Sequence, residues 1–304
     1  MTRSARDWIT SRLPASVYDA LATGLSASRL WSLLLEILEV RAGARRPADL
    51  VAQWDRDRFV QPAAVDQRTL IEIDRTLLAA ADAFESIELS PVAPLGVCSI
   101  MGRTSQHKVL SALRGTEVVA DPTNVMALEC ARRLRRDPAA VVRLSTSHRC
   151  VRAQEIPKVP GLSANFRIFC LASAGFEQPD SAFVIASLAE QMTTMASALD
   201  ALEQRGFAFP DRRVTLLTTP EKTELGDRLA AAIRYPGLVR AVLEHPYYDG
   251  FRFQIAARAS DGAHMPLIDG GALDWLSKLM SNRRAVYVAS GFGSQLVQLR
   301  FRRS

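Results

Sequence analysis

Lysine is almost missing from this chain of 304 residues. Lys108, Lys158, Lys222 and Lys278 are the only four, so the other 34 of its 38 basic residues are arginines. Against 32 acidic residues the formal net charge is +6. A basic balance ordinarily raises nucleic acid as a partner. So lopsided a ratio in an alanine-rich chain reads instead as coding bias, and the charge alone names no partner. Cysteine is scarce as well. Cys98, Cys130, Cys150 and Cys170 form no CxxC pair and do not cluster with histidine. That excludes a disulfide scaffold, and no structural zinc is expected; the thiols are expected to be buried and reduced. A long apolar run is also lacking. The stretch Leu30–Val40 is short and carries Glu36 and Glu39, whereas a span needs about 20 apolar residues, so no membrane contact is expected. The start, MTRSARDWITSRLP, has no apolar stretch followed by a small-residue cleavage site; the expectation is no secretory signal and a cytoplasmic location. There is no Walker A lysine, no GxGxxG and no GxSxG, which removes the common nucleotide and hydrolase signatures.

What is present is enough apolar residue for a sizeable core: 48% hydrophobic with 23% charged. Residues 1–65 read as a separate helical extension, with Trp8, Leu13, Val17, Leu21 and Leu25 near helical spacing and a second helix over 30–40 that Gly43 and Pro47 end. From Asp66 to Phe84 the apolar positions Leu70, Ile73, Leu77, Leu78, Ala81 and Phe84 predict an amphipathic helix. Strands are predicted over 116–120, 141–152, 165–174, 214–219, 251–257 and 286–291, and helices over 124–136, 181–205, 221–233 and 273–280. Asp121-Pro122-Thr123 carries the signals of a helix start, 141–174 reads as a long-loop antiparallel hairpin, and Gly270-Gly271 reads as a turn before a helix. With no strict βαβ alternation, an α+β fold with a mostly antiparallel sheet is expected over 66–304.

Seven segments in order then carry a resemblance. ADAFESIELSP (81–91) resembles motif 1 of class II aminoacyl-tRNA synthetases, HRCVRAQ (148–154) resembles motif 2, and ASGFGSQLV (289–297) resembles motif 3. Between them VVADPT (118–123), RIF (167–169), PYYDGFRF (246–253) and GGALD (270–274) are similar to segments of histidyl-tRNA synthetase and of its paralogue, the regulatory subunit of ATP phosphoribosyltransferase. The resemblance implies a class II catalytic core, a homodimer formed through motif 1, and ATP and Mg²⁺ as ligands. It implies Arg149 as the motif 2 arginine on the α-phosphate and therefore as the catalytic residue. Asp121 and Thr123 would meet a substrate amino group, and Gln154, Tyr247, Tyr248, Gly270 and Gly271 would form the pocket. Arginine suits such a site because a guanidinium can neutralise two anions that must meet, and charge stabilisation is the main catalytic term.

The departures point elsewhere. Val151 replaces the motif 2 acid, Leu296 the motif 3 arginine, and Leu243-Glu244-His245 stands where an arginine precedes the pocket tyrosines; Ala272 and Leu273 replace an Arg and a Tyr. The family's C-terminal anticodon-binding domain is not in the sequence, so tRNA is not the expected partner. The resemblance thus implies a catalytically degenerate paralogue that binds an amino-acid-like or nucleotide ligand and acts as a regulatory subunit on a partner enzyme. The alternative is a truncated ATP-dependent ligase that passes an aminoacyl group to a carrier protein or small molecule.

Overall fold

The computed structural model describes residues 4–156, 162–233, 235, 237–244 and 247–303. It begins with helices α1 (Ala5–Thr10), α2 (Ala15–Asp19), α3 (Ala27–Gly43) and α4 (Pro47–Arg56). Ser4 caps α1 and Ser26 caps α3, each accepting a backbone N–H three residues on. Gly43 does end the second predicted helix, but Pro47 opens a new one: at the first helical position a missing N–H costs nothing. Helices α3 and α4 contain no buried residue.

The remainder runs α5 (Gln67–Ala80), β1 (Glu85–Ser86), β2 (Val92–Pro94), β3 (Ser111–Ala112), β4 (Thr116–Val118), α6 (Pro122–Arg136), β5 (Val142–Val151), β6 (Asn165–Phe176), α7 (Ala182–Glu203) and β7 (Arg213–Thr218). It continues α8 (Thr223–Ile233), β8 (Val239–Val242), β9 (Phe251–Arg258), β10 (His264–Leu273), α9 (Trp275–Met280), β11 (Ala285–Phe292) and α10 (Ser294–Arg300). Among the described residues one sheet has eight strands in the order β1-β5-β6-β11-β10-β9-β7-β8, and a small one has β2-β4-β3. Only β1–β5 and β7–β8 pair in parallel, at the two ends of the large sheet. This is the α+β, mostly antiparallel fold that the order of elements predicts.

Both faces of the large sheet are covered, and the strands alternate accordingly. Phe169 and Leu171 of β6 join Ile73 and Leu77 of α5 and Leu188, Met192, Met195 and Leu199 of α7 on one side. Cys170 and Ala172 join Met126, Cys130 and Leu134 of α6 and Trp275 of α9 on the other. The apolar stripe of α5 is therefore used within the chain. Helix α7 is long and apolar enough to cross a membrane by length and composition alone, yet it packs as this core helix. All four cysteines are buried free thiols; burial pushes Cys98 up to about 11 and Cys130 up to about 12.

Beyond the short strands β1, β2 and β3, two strands of the large sheet escaped the sequence reading, β8 and β10. Strand β8 is short and largely exposed. In β10, Gly270-Gly271 is no turn: these residues pair with Ser290 and Ala289 of β11 and with Phe253 and Arg252 of β9. Glycine is required there by crowding, since a Cβ on Gly270 would lie 2.5 Å from the Ser290 Cβ and 2.7 Å from the Phe253 ring.

Helix α6 is fastened to β1 by charge. Glu129 accepts from Arg132 Nε at 2.7 Å and from Arg133 Nε at 2.8 Å, and Arg133 also donates to Glu85 at 2.8 Å. The hydrogen bond from Arg132 holds the Glu129 carboxyl at about 2, below its ordinary 4.5. Because the folded value is the lower one, its contribution to stability is complete above about pH 4.5 and is lost as pH falls through about 2. Urea melts of the wild type and Glu129→Gln should therefore differ at pH 7, and that difference should vanish across this window.

Candidate ligand pocket

Where β5 and β6 leave the sheet, a cavity of about 580 Å³ opens on the α6 side. Its floor is made by side chains that alternation sends to that face: Phe166 and Ile168 of β6, Ala289 and Gly291 of β11, Asp269 of β10, Arg252 and Gln254 of β9. The residues of small or no side chain keep it open. A Cβ on Gly291 would stand 2.9 Å from Ile168 Cδ1. Beneath the floor Gln191 holds Ser290 and Ser173 at 2.7 and 3.0 Å.

The start of α6 supplies the acidic wall. Asp121 caps the helix: its Oδ1 accepts from the Thr123 backbone N–H at 3.0 Å and from Thr123 Oγ1 at 2.7 Å. Its Oδ2 stays directed at Arg152 NH2, 4.0 Å away. Arg152 is anchored by Nε donating to the Ala120 carbonyl at 2.9 Å, with its guanidinium 5.0 Å over the Phe166 ring. Tyr247 and Tyr248 meet edge to face at 4.9 Å, and Tyr247 leans on Trp275 at 5.9 Å. Burial pushes both hydroxyls up, with Asp121 acting on Tyr247 and Asp269 on Tyr248. Arg252 grips Asp269 bidentately, Nε to Oδ1 at 2.9 Å and NH2 to Oδ2 at 2.8 Å, with its guanidinium 5.6 Å from the Tyr248 ring centroid.

Of the residues singled out in the sequence, Asp121, Thr123, Gln154, Tyr247 and Tyr248 line this one cavity. Gly271 lies under it, because a Cβ there would overlap the Phe251 carbonyl and stand 2.5 Å from Tyr248 Cδ1. Gly270 faces the opposite core. Arg149 projects toward α10 and α5: NH1 donates to Asn165 Oδ1 at 2.9 Å and to Gln295 Oε1 at 3.4 Å, near Asp74. Burial, and then Arg167, lower its pKa. It reaches the cavity only through Gln295, which lines it. His245 and Pro246 lie outside the described residues. Arg152, Arg252, Asp269 and Gln254 are pocket residues that the sequence reading passed over. For Arg152 a signal existed, since it shares parity with the apolar Cys150. Arg252 lies in the segment PYYDGFRF that carries the resemblance, while for Asp269 and Gln254 no signal existed, because their meeting depends on the unread strand β10.

The residues present do not fit a magnesium-bound triphosphate. Leu296, Leu267 and Pro266 give the cavity an apolar end. Arg167, at the rim, already holds Asp74 at 2.6 Å. Asp269 is closed by Arg252, and Asp121 is half occupied by its helix. Substituting Gly271→Ala should displace Tyr248 and cost about 1–3 kcal/mol of stability, read as a lower urea midpoint and as a changed near-ultraviolet signal from the Tyr247–Tyr248–Trp275 stack.

No protein-family model matches the sequence, and no curated protein matches it. Solved structures do match in shape. An ATP phosphoribosyltransferase regulatory subunit/histidyl-tRNA synthetase from Bacillus halodurans superposes with a TM-score of 0.61 at 13% identity, over 79% of this chain and 81% of that one. A histidine–tRNA ligase subunit from Alicyclobacillus acidocaldarius gives 0.57 at 13% identity, over 80% and 96%. The apo histidyl-tRNA synthetase of S. aureus gives 0.56 at 11% identity, over 78% and 69%. At such identities the likeness is one of architecture, and on it the described chain has the fold of a class II aminoacyl-tRNA synthetase core.

Proposed function

We propose that this protein is a catalytically degenerate histidyl-tRNA synthetase-like paralogue whose pocket binds an amino-acid-like zwitterion and which acts through a partner protein. The observation that carries the reading is the separated pair at the α6 end of the cavity. Asp121 Oδ2 and Arg152 NH2 stand 4.0 Å apart, too far for a direct hydrogen bond. A ligand ammonium can approach Asp121 while its carboxylate meets the Arg152 fork, completing both charges. Leu296 in place of a motif 3 arginine supports loss of phosphate chemistry, since stabilising charge at phosphorus is the main catalytic term of such a site.

Action through a partner is supported by the N-terminal helices. Leu33, Leu35, Ile37, Leu38 and Val40 of α3 and Trp54 of α4 are all exposed. A helix apolar on most sides is ordinarily buried in an assembly. A solved structure of similar fold is named as a regulatory subunit, which fits a role of this kind. Self-association belongs to the same reading, with these helices as its surface rather than the internally packed stripe of α5.

Calorimetry with a panel of free amino acids should detect binding, and Asp121→Asn should weaken it at least about tenfold. ATP–pyrophosphate exchange should stay at background with the same panel; exchange abolished by Arg152→Ala would instead establish the ligase alternative. In sedimentation experiments the double substitution Leu33→Ser, Ile37→Ser should reduce the mass of any assembly while leaving the melting of the core unchanged.

A further inference from the structure

The cavity has two charged pairs, and only one is needed for a zwitterionic head. The second, Arg252–Asp269, sits on the floor across β9 and β10. Tyr247 stands between them: its hydroxyl feels Asp121, Arg152 and Asp269. The two pairs also differ in kind. Asp121 and Arg152 are apart and ready to be bridged, whereas Arg252 and Asp269 are closed on each other by two parallel hydrogen bonds at 2.9 and 2.8 Å. That fork uses Nε and NH2. NH1 of Arg252 lies outside that fork, and Asp269 keeps lone pairs beyond the two that Arg252 engages and remains 40% exposed, with the Tyr248 hydroxyl beside both members of the pair. The pair therefore presents a donor and an acceptor side by side, with no net charge.

We propose that this pair reads the side chain of the ligand and selects an uncharged group with one acceptor and one donor, the chemistry of a carboxamide or ureido group. The proposal rests on the zwitterion reading above and adds the substrate class to it. A ligand carbonyl oxygen accepts from Arg252 NH1 while its N–H donates to Asp269. A carboxylate side chain gains Arg252 but meets the Asp269 charge. A cationic one meets Arg252. An apolar one leaves both members of the pair desolvated without partners, the case in which a hydrogen-bonding site discriminates most strongly. Gln254, the cross-strand neighbour of Asp269, adds a further neutral amide to the same floor.

The test is calorimetry on the full chain with free glutamine, asparagine, citrulline, glutamate, leucine and methionine. The carboxamide and ureido amino acids should bind at least about tenfold more tightly than glutamate, leucine or methionine. Asp269→Asn should shift the glutamine-to-glutamate affinity ratio toward glutamate by about tenfold or more, because the repelling charge is gone while Arg252 stays. Arg252→Met should bring glutamine down to the level of methionine. These ratios are taken between two ligands on one sample, so a reduced folded fraction does not mimic the effect. Equal binding of leucine and glutamine, or an unchanged ratio in Asp269→Asn, would overturn the selectivity while leaving the zwitterion reading intact. No binding of any amino acid would overturn that reading and this one with it.

Discussion

A strand inside a sheet has its backbone groups paired on both edges, and a sheet covered on both faces has no solvent side on which to place a misfit. The central run β5-β6-β11-β10-β9 is under both constraints at once. Each residue there faces either the α5–α7 core or the α6–α9 side, and a shift of one residue would exchange them. The cavity lies near one end of these strands, where the α6-side set is Ile168, Ala289, Gly291 and the polar group of Arg252, Gln254 and Asp269. The helices on that face do not extend over them, and the loop bearing Tyr247 and Tyr248 closes the side.

The same alternation decides which arginine meets a ligand. Arg149 and Arg152 lie three residues apart, hence on opposite faces. Arg149 is drawn into the Asn165–Gln295 contacts behind the sheet, while Arg152 stacks on Phe166 in front of it. A segment such as HRCVRAQ can be matched to a motif at either arginine, and only the direction of the side chain separates the two choices. Charge follows: each guanidinium at the cavity faces a carboxylate, Arg152 with Asp121, Arg252 with Asp269 and Arg167 with Asp74. A site so balanced suits a ligand that carries both signs or neither, and it suits a triphosphate poorly.

The helical extension stands in contrast. Among the described residues Arg58 donates to the Ala153 and Gln154 carbonyls at 3.1 and 3.0 Å, Asn165 donates to the Gln61 carbonyl at 2.9 Å, and Trp31 lies against Gly115. Two of these reach the segment that carries Gln154. Residues 57–65 thus link α3 and α4 to the rim of the cavity.

Local pattern alone was sufficient for much of this molecule. The stripe of α5, the Asp-Pro-Thr start of α6, the 141–174 hairpin and the antiparallel class could all be read from periodicity and turn chemistry, because those signals involve residues a few positions apart. Asp121, Thr123, Gln154, Tyr247 and Tyr248 could be gathered by resemblance, and they do line one cavity. What the tertiary structure decided was the pairings and side-chain directions that no local turn signal marks. Gly270-Gly271 reads as a turn until Phe253 and Ser290 are seen pressing on it from both sides. The Arg252–Asp269 pair joins residues 17 apart that meet only in the β9–β10 register. The face presented by Arg149 is set by strand parity against helices distant in sequence. Such contacts come from the packing of whole layers, so no window of neighbouring residues contains them.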